Sequence, residues 1–305
     1  MKAALKGRAI PVALLLITTI LLSMGSGLYA GSSFFAQQAP SVTITTTVFT
    51  TTTSWTTSTI WSTVTSVVAG VWTTVEYTTS TSTVTMTGLD TYTRLLLHMD
   101  GTDGSQAFVD SSTEAHSVTA KGNTRISTAQ SRFGGTSGRF GGADDYLSLA
   151  DSADWAFGTG AFTIDFWVRF SALPAAGDCD VIVSQFVDVN HWWELILYNN
   201  AGTYQWIFYQ SATLIDITRD TTISKDLWYH VALVRSGNSW YLFQDGSQLG
   251  ATGTDSDSVV DLAGALEIGR RGDSIYYLNG WLDELRVSKG IARWTSNFMP
   301  PTSSY

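Results

Sequence analysis

An all-β fold is predicted for the larger part of this 305-residue chain, and three observations carry the prediction. The acids are 21 Asp against only 5 Glu, a bias toward turn formers and hard oxygen ligands and away from helix formers. From Gly88 to Tyr305 short runs of alternating apolar residues are separated by clusters of Gly, Asp, Asn and Ser, and no amphipathic run of helical length competes with them. Aromatic residues make up 12% of the chain and charged residues only 14%, enough large apolar groups for one sizeable core in an extracellular type of composition. Helical bundles are thereby disfavoured. The formal charge of -9 sets nucleic acid aside as a partner.

The strands follow in order. They begin with YTRLLLHM from Tyr92, DYLSLA from Asp145, AFTIDFWVRF from Ala161, VIVSQF from Val181 and WWELILY from Trp192. After these come YQWIFY from Tyr204, TLIDIT from Thr213, LWYHVALVRS from Leu227, SWYLFQ from Ser239 and GWLDELRVS from Gly280. In AFTIDFWVRF the period of two puts Phe162, Ile164, Phe166 and Val168 on one face. Thr163, Asp165, Trp167 and Arg169 fall on the other, which reads as a polar, Trp-bearing sheet surface. About 215 residues of this kind suit one large antiparallel sandwich.

Charge divides the chain ahead of that sandwich. Lys2, Lys6 and Arg8 open it, and then 67 residues pass without a charge until Glu76. Ile10 to Ala30 is a 21-residue apolar segment, long enough as a helix to cross a bilayer core of about 30 Å. The basic cluster before it predicts a cytoplasmic N-terminus and an extracellular or cell-surface location for everything after residue 30, whether membrane-anchored or secreted. Residues 1–30 therefore read as a signal peptide or a membrane-anchor helix. Val12 to Leu22 has signal-peptide length, with Ala30 or Ala36 as cleavage positions, so both fates stay open. The stretch KGRAIPVALLL also resembles the leader and hydrophobic helix of archaeal type IV pilin precursors, which implies a filament role as an alternative.

Residues 31–88 form a separate Thr/Ser-rich region, a stalk or assembly segment. From Ser41 to Thr87 there are 21 Thr and 7 Ser in 47 residues, with Val, Ile, Trp, Phe or Tyr every few positions. That is strand composition, and Val42/Ile44 and Val84/Met86 alternate accordingly. Trp61, Val64, Val68, Val71 and Val75 fit a heptad seam equally well, but Thr and Val are poor helix formers, which favours extended chain. Either way the segment cannot bury its apolar residues alone, so a partner is implied, whether another copy, the chain's own globular domain or a surface lattice, with self-association through residues 41–87 favoured.

Four blocks of the remaining sequence carry a family resemblance: LLLHMDGTDGSQAFVDSS, SGRFGGADDYLSLADSADWAFGTGAFTIDFWVRF, WYHVALVRSGNSWYLFQDG and LNGWLDELRVSKGIARWTSNFMPP. Together they resemble the laminin-G-like branch of the concanavalin A-like lectin/glucanase superfamily across residues 89–305. The resemblance implies a two-sheet antiparallel jelly roll, so the whole chain reads as that sandwich behind an N-terminal hydrophobic helix and an extended Thr-rich segment. It also implies a structural Ca2+ between the Asp-Gly after the first strand and an Asp on the last long strand, positions held here by Asp100 and Asp283. Two carboxylates at the ends of strands distant in sequence would repel unless a cation bridged them, and each could instead cap a turn.

Catalytic chemistry finds little support. A glycosidase needs two carboxylates about 5 to 10 Å apart, and the Glu-X-Asp-X-Glu spacing of the laminarinase-like branch is missing. Asp283 and Glu284 are expected on opposite faces of one strand. His98, His116, His191 and His230 lie too far apart for a local metal motif, and no Gly-X-Ser-X-Gly elbow occurs. No catalytic residue is assigned. Binding needs only a shallow face with aromatic platforms and a few polar groups. His191, Trp192 and Trp193, opening a strand, and Tyr276 and Tyr277, in the loop RRGDSIYYLNG, are the ligand-binding candidates, with core or edge packing as their alternative role. Arg271-Gly272-Asp273 spells an integrin-type motif that chance accounts for. The expected function is non-enzymatic attachment to a glycan or a surface protein. A structural subunit of a filament or virion surface is the alternative, and a polysaccharide hydrolase a more remote one.

Overall fold

The computed structural model describes residues 65–68, 71–74, 90–211 and 214–305. The expected hydrophobic helix of residues 10–30, and most of the Thr-rich region, lie outside these residues. Within the Thr-rich region, β1 (Thr65–Val68) and β2 (Val71–Thr74) pair antiparallel, with Thr65 opposite Thr74 and Val68 opposite Val71. No described helix is long and apolar enough to cross a membrane.

The second unit is a two-sheet antiparallel sandwich. Its strands are β3 (Thr93–Leu97), β4 (Val118–Lys121), β5 (Arg125–Ser127), β6 (Ser137–Gly141), β7 (Tyr146–Leu149), β8 (Phe162–Phe170), β9 (Cys179–Asp188), β10 (His191–Asn200), β11 (Thr203–Gln210) and β12 (Ile215–Thr221). They continue as β13 (Trp228–Ser236), β14 (Ser239–Gln244), β15 (Ser247–Gln248), β16 (Gly253–Thr254), β17 (Leu266–Ile268) and β18 (Asn279–Lys289). One sheet runs β12-β11-β10-β9-β17-β7-β4. The other runs β15-β14-β13-β8-β18-β6-β5, with β16 added on β14 and β3 on β18. A single 3-10 turn, Ala153–Trp155, interrupts the described strands and is capped by the Ser152 hydroxyl.

Alternation explains the core. Phe162, Ile164, Phe166, Val168 and Phe170 of β8 all face inward and meet Trp193, Leu195 and Leu197 of β10, Trp206 and Phe208 of β11, and Trp240 and Leu242 of β14. Ring packing ties the layers together. Phe157 stacks on Phe162 at 4.1 Å, and Phe166 meets Trp206 edge-on at 6.0 Å. Each of these large side chains contributes about 1.5–3 kcal/mol by leaving water.

The strand β18 lies at the centre of the larger sheet, paired with β8 on one side. On its other side it pairs first with β6, over Asn279–Leu282, and then with β3, over Leu285–Ser288. Between the two partners the register with β8 slips: Asp283 faces Trp167 and Arg286 faces Asp165, so two residues oppose one. Glu284 occupies this bulge with φ +50°. Leu282, Leu285 and Val287 therefore all enter the core, and Asp283 and Glu284 both leave it on the same side. This corrects the expectation that the two acids point to opposite faces, because strict alternation does not survive a bulge.

The outer side of β8 is not the open polar surface that its sequence suggests. Thr163 and Asp165 are buried because residues 291–305 fold back across the sheet, and Trp167 because Arg132 and Phe133 cover it. Trp294 and Phe298 stack at 4.0 Å, pack with Ala232, Val234 and Phe243, and set their ring edges against His230. Gly246 (φ +75°) permits the approach: a Cβ there would stand 1.9 Å from the Phe298 carbonyl oxygen. Beneath the strap, Arg286 grips Asp165 through two bonds of 3.1 and 3.0 Å, and the Tyr305 hydroxyl donates to the same carboxylate. Burial pushes the Asp165 carboxyl up, but Arg286 and His230 outweigh it and hold the group at about 2. Removing one partner of a fully buried pair strands the other charge. Arg286→Ala is therefore expected to lower the unfolding free energy by about 3–5 kcal/mol in urea titration. A loss below about 1 kcal/mol would show that the pair contributes nothing net.

Candidate functional site

The outer face of the seven-stranded sheet carries a groove of about 260 Å³ lined by alternate residues of three neighbouring strands. From β10 come Trp192, Glu194, Ile196 and Tyr198; from β11, Ile207 and Tyr209; from β12, Asp216 and Thr218. Register sets them in rows. Glu194, Tyr209 and Asp216 lie abreast, and Ile196, Ile207 and Thr218 form the next row. The floor is thus aliphatic, aromatic rings stand at its end and side, and two carboxyls flank one tyrosine. Trp192 leans on Tyr209 at 5.1 Å and 31°, and its indole N–H donates to the Val189 carbonyl at 3.2 Å.

Glu194 is the unusual member. It is only 4% exposed, and its Oε2 has no hydrogen-bond partner. The nearest cation, Arg271 Nη1, is 3.9 Å away. Burial pushes the Glu194 carboxyl up to about 7 against the opposing pull of Arg271. Asp216, on the exposed edge strand, accepts from the Thr218 hydroxyl at 2.5 Å.

Arg271 connects the groove to the loop that follows β17. Its guanidinium lies 4.9 Å from the Trp192 ring centroid and 4.8 Å from that of Tyr276. It also closes on Asp273 through bonds of 3.0 and 2.9 Å. The Arg-Gly-Asp tripeptide is therefore paired with itself. Tyr276 adopts φ +60° and packs against the outer cluster of Cys179, Val181 and Ile196. Burial, with the charges of Glu194, Asp178 and Asp180, drives the Cys179 thiol far above its ordinary range.

The residues singled out from sequence are thus divided. Trp192 lines the groove, while Tyr276 and Tyr277 line a different cavity on the far side of Arg271. His191 is exposed and bonded to Asp188 at 2.8 Å, outside the groove lining. Trp193 is a correction: it is fully buried among core aromatics, and its indole N–H donates to Gln185 at 3.0 Å. Leu195 and Leu197 share its inward phase, and that phase decides which of the two tryptophans reaches solvent. Glu194, Tyr198, Tyr209 and Asp216 line the groove without having been singled out as binding candidates. Period-two alternation from Trp192 reaches Glu194 and Tyr198, whereas the other two depend on strand pairing.

The proposed calcium residues converge on another part of the fold. Asp283 is fully buried, with Oδ2 accepting from the backbone N–H groups of Arg132 (2.7 Å) and Phe133 (3.1 Å) and Oδ1 left without a partner. Burial pushes its carboxyl up to about 7, and the charges of Glu284 and Asp100 add to the rise. Asp100 accepts from the Thr136 hydroxyl at 3.2 Å, and its carboxylate sits so close to Gly134 that a Cβ there would lie 2.0 Å from Oδ1. An orphaned buried oxygen beside a second carboxylate, wrapped by one loop, fits an oxygen-seeking cation. Among the described residues no three His, Cys, Asp or Glu side chains form a metal cluster, so loop oxygens would complete the shell.

Comparison with known proteins agrees with the architecture. The family model of the concanavalin A-like lectin/glucanases superfamily, laminin-G type, matches residues 140–293. No curated protein matches the sequence. Among solved structures, the binding domain of Paraclostridial mosquitocidal protein 1 aligns with TM-score 0.51 and 16% identity over 66% of this chain and 49% of that one. Domain 4 of the extracellular arabinanase AbnA from Geobacillus stearothermophilus, solved with arabinotriose, aligns with TM-score 0.51 and 17% identity over 66% of this chain and 93% of that one. The binding domain of botulinum neurotoxin serotype D gives TM-score 0.50 and 16% identity, with coverage of 68% and 50%. The chain thus spans about half the length of the two toxin binding domains.

The two adjacent tryptophans separate groove from core. Trp193→Ala is expected to cost about 3–5 kcal/mol of stability, whereas Trp192→Ala should cost under about 1 kcal/mol. Denaturant unfolding of both variants checks the contrast, and equal losses would mean that Trp192 is also structural.

Proposed function

Since the chain belongs to the concanavalin A-like lectin/glucanases superfamily, we propose that residues 89–305 form a non-enzymatic binding module for a glycan or surface protein, displayed outside the cell. The groove carries this reading. Sugar rings present apolar C–H faces and hydroxyl edges, and Trp192, Tyr198 and Tyr209 supply platforms for the first. Glu194 and Asp216, on either side of Tyr209, supply polar partners for the second. The groove is shallow and runs along a sheet surface, which suits recognition of a chain passing over it. The arabinotriose complex of the arabinanase domain shows a sandwich of related shape holding a short glycan in that protein. Display beyond the membrane rests on the apolar stretch of residues 10–30 and the basic residues before it.

The paired carboxyls also bear on a hydrolytic reading. Glu194 and Asp216 stand two strands apart, roughly 9–10 Å between backbones, near the upper limit of the spacing that lets an acid and a base act across a sugar. Glu194 faces Arg271 from a site closed to solvent, which leaves its buried oxygen badly placed to protonate a leaving group. The expected result is binding without turnover. On a glycan array, Trp192→Ala should lose at least about tenfold in affinity, and wild-type protein should release no reducing ends from its bound glycans. Absence of any ligand across broad glycan and surface-protein panels would reject the module. Sugar release abolished by Glu194→Gln would make it an enzyme.

Calcium is proposed as a structural ion held by Asp100 and Asp283. Its chemistry there would be neutralisation: two carboxylates that repel when ionised would share one cation, and the partnerless Asp283 Oδ1 would gain a ligand. Chelation is therefore expected to lower the melting temperature at pH 7–8, and Asp283→Asn should remove that sensitivity. Unchanged melting in chelator would take the ion out of the account.

A further inference from the structure

A second cavity, of about 460 Å³, opens at one end of the sandwich, separate from the groove. Its walls come from the loop after β8 (Ala172–Ala175), the head of β9 (Asp178–Asp180), Gly142 after β6, and the segment Ile275–Tyr277 with Asn279 that leads into β18. These walls are tied to one another. Ser171 N–H donates to the Asn279 carbonyl at 2.8 Å, the Asn199 side chain donates to the Pro174 carbonyl at 2.8 Å, and Val181 N–H donates to the Tyr276 carbonyl at 3.0 Å. The volume falls within the range of small-molecule sites.

The lining has a definite charge. Its only ionisable side chains are the two carboxyls, Asp178 and Asp180, the thiol of Cys179 and the phenols of Tyr276 and Tyr277. It contains no cationic side chain. The nearby guanidiniums already have carboxylate or carbonyl partners, Arg270 in Glu267 (2.9 and 2.8 Å), Arg271 in Asp273 and Arg139 in the Gly280 carbonyl (3.1 Å). Arg271 also lies 4.8 Å from the Tyr276 ring, and Arg270 bonds the Tyr277 side chain. Asp180 is 94% buried, accepts from the Asn279 backbone N–H, and leaves Oδ2 without a partner. A buried carboxyl with unmet hydrogen-bonding capacity is costly unless something compensates it. An anion would meet the Asp178 carboxylate with no lining cation to offset it, and a bare ion would leave most of the volume empty.

We propose that this cavity is a second binding site, for a small molecule bearing a protonated primary amine, with Asp180 and Asp178 as its counter-charges and Tyr276 and Tyr277 as its aromatic wall. An ammonium satisfies an acidic pocket through charge-assisted hydrogen bonds to the two carboxyls, with the phenols walling its carbon chain. The same chemistry is carried by a polyamine and by an amino sugar. Burial pushes the Asp180 carboxyl up to about 8, with the Asp178 charge adding to the rise, so the empty pocket holds a proton that an entering ammonium displaces. Affinity for a strongly basic amine should accordingly strengthen as pH rises toward 8.

Isothermal titration of the full chain with putrescine, glucosamine, neutral 1,4-butanediol and calcium chloride tests the site. Binding of either amine, with none by the diol, is expected; which amine binds more tightly identifies the source. Asp180→Asn should weaken amine binding by at least about tenfold, the exposed Asp178→Asn by a smaller factor, and Trp192→Ala not at all. Repeating the putrescine titration in two buffers of different ionisation enthalpy should reveal proton release at pH 7. The proposal is overturned if no amine binds at millimolar concentration or if the diol binds equally well. It is equally overturned if calcium alone titrates Asp180, or if both Asp variants melt like wild type and bind amine unchanged. Because the groove residue Trp192 is outside this cavity, loss of glycan binding and loss of amine binding are separable results.

Discussion

The pairing of β18 with β8, and the bulge that interrupts it, is the constraint on which the larger sheet depends. Strand β18 brings a late part of the chain into the middle of that sheet, where it serves β6 with its first half and β3 with its second. A regular strand could not turn Leu282 and Leu285 both inward. The extra residue, Glu284 in a left-handed conformation, resets the phase and sends two consecutive acids outward. One of these, Asp283, meets the loop at residues 132–135, and the other, Glu284, meets His98 at 2.9 Å and the Tyr305 backbone N–H at 3.1 Å. Loop anchoring, the cation-fitting pair and the terminal strap all trace to this one irregularity.

The two sheets differ in how their outer faces are treated. The larger one is sealed over β8, β13 and β18 by residues 291–305, which turn Asp165, Arg286 and His230 into interior groups. A buried ion pair of this kind is weak evidence of net stability, since desolvation opposes the attraction. Its geometry instead helps to position the strap: Tyr305 donates to Asp165 from its hydroxyl and to Glu284 from its backbone N–H. Among the described residues nothing comparable covers the smaller sheet over β10, β11 and β12, and the groove lies there. The groove and the second cavity thus lie on one face of the sandwich and at its end, away from the strap.

Much of this architecture was legible in the sequence. Alternation in AFTIDFWVRF correctly assigns Phe162, Ile164, Phe166 and Val168 to the core, to which the structure adds Phe170, and the motif blocks point to the sandwich. Alternation fails where physics outside the strand intervenes. It cannot reveal that a distant segment roofs Asp165, or that a bulge turns Glu284 to the same side as Asp283. Trp192 and Trp193 look alike as neighbours, and only the inward phase of Leu195 and Leu197 separates a platform from a core residue. Tyr209 and Asp216 become neighbours of Glu194 through pairings across two hairpins, which no local pattern encodes.

The burial of Cys179 has a practical reach of its own. The chain has one thiol, and that thiol packs with Val181, Ile196 and Tyr276 at the wall of the second cavity, where burial favours its unreactive, protonated form. Burial thus disfavours both a bridge to a second copy and oxidation to sulfenic acid. The protein is in effect a blank background for thiol chemistry. A cysteine placed on the exposed β9–β10 hairpin, as in Val189→Cys, would be the only position that a maleimide dye marks, beside the groove but outside it.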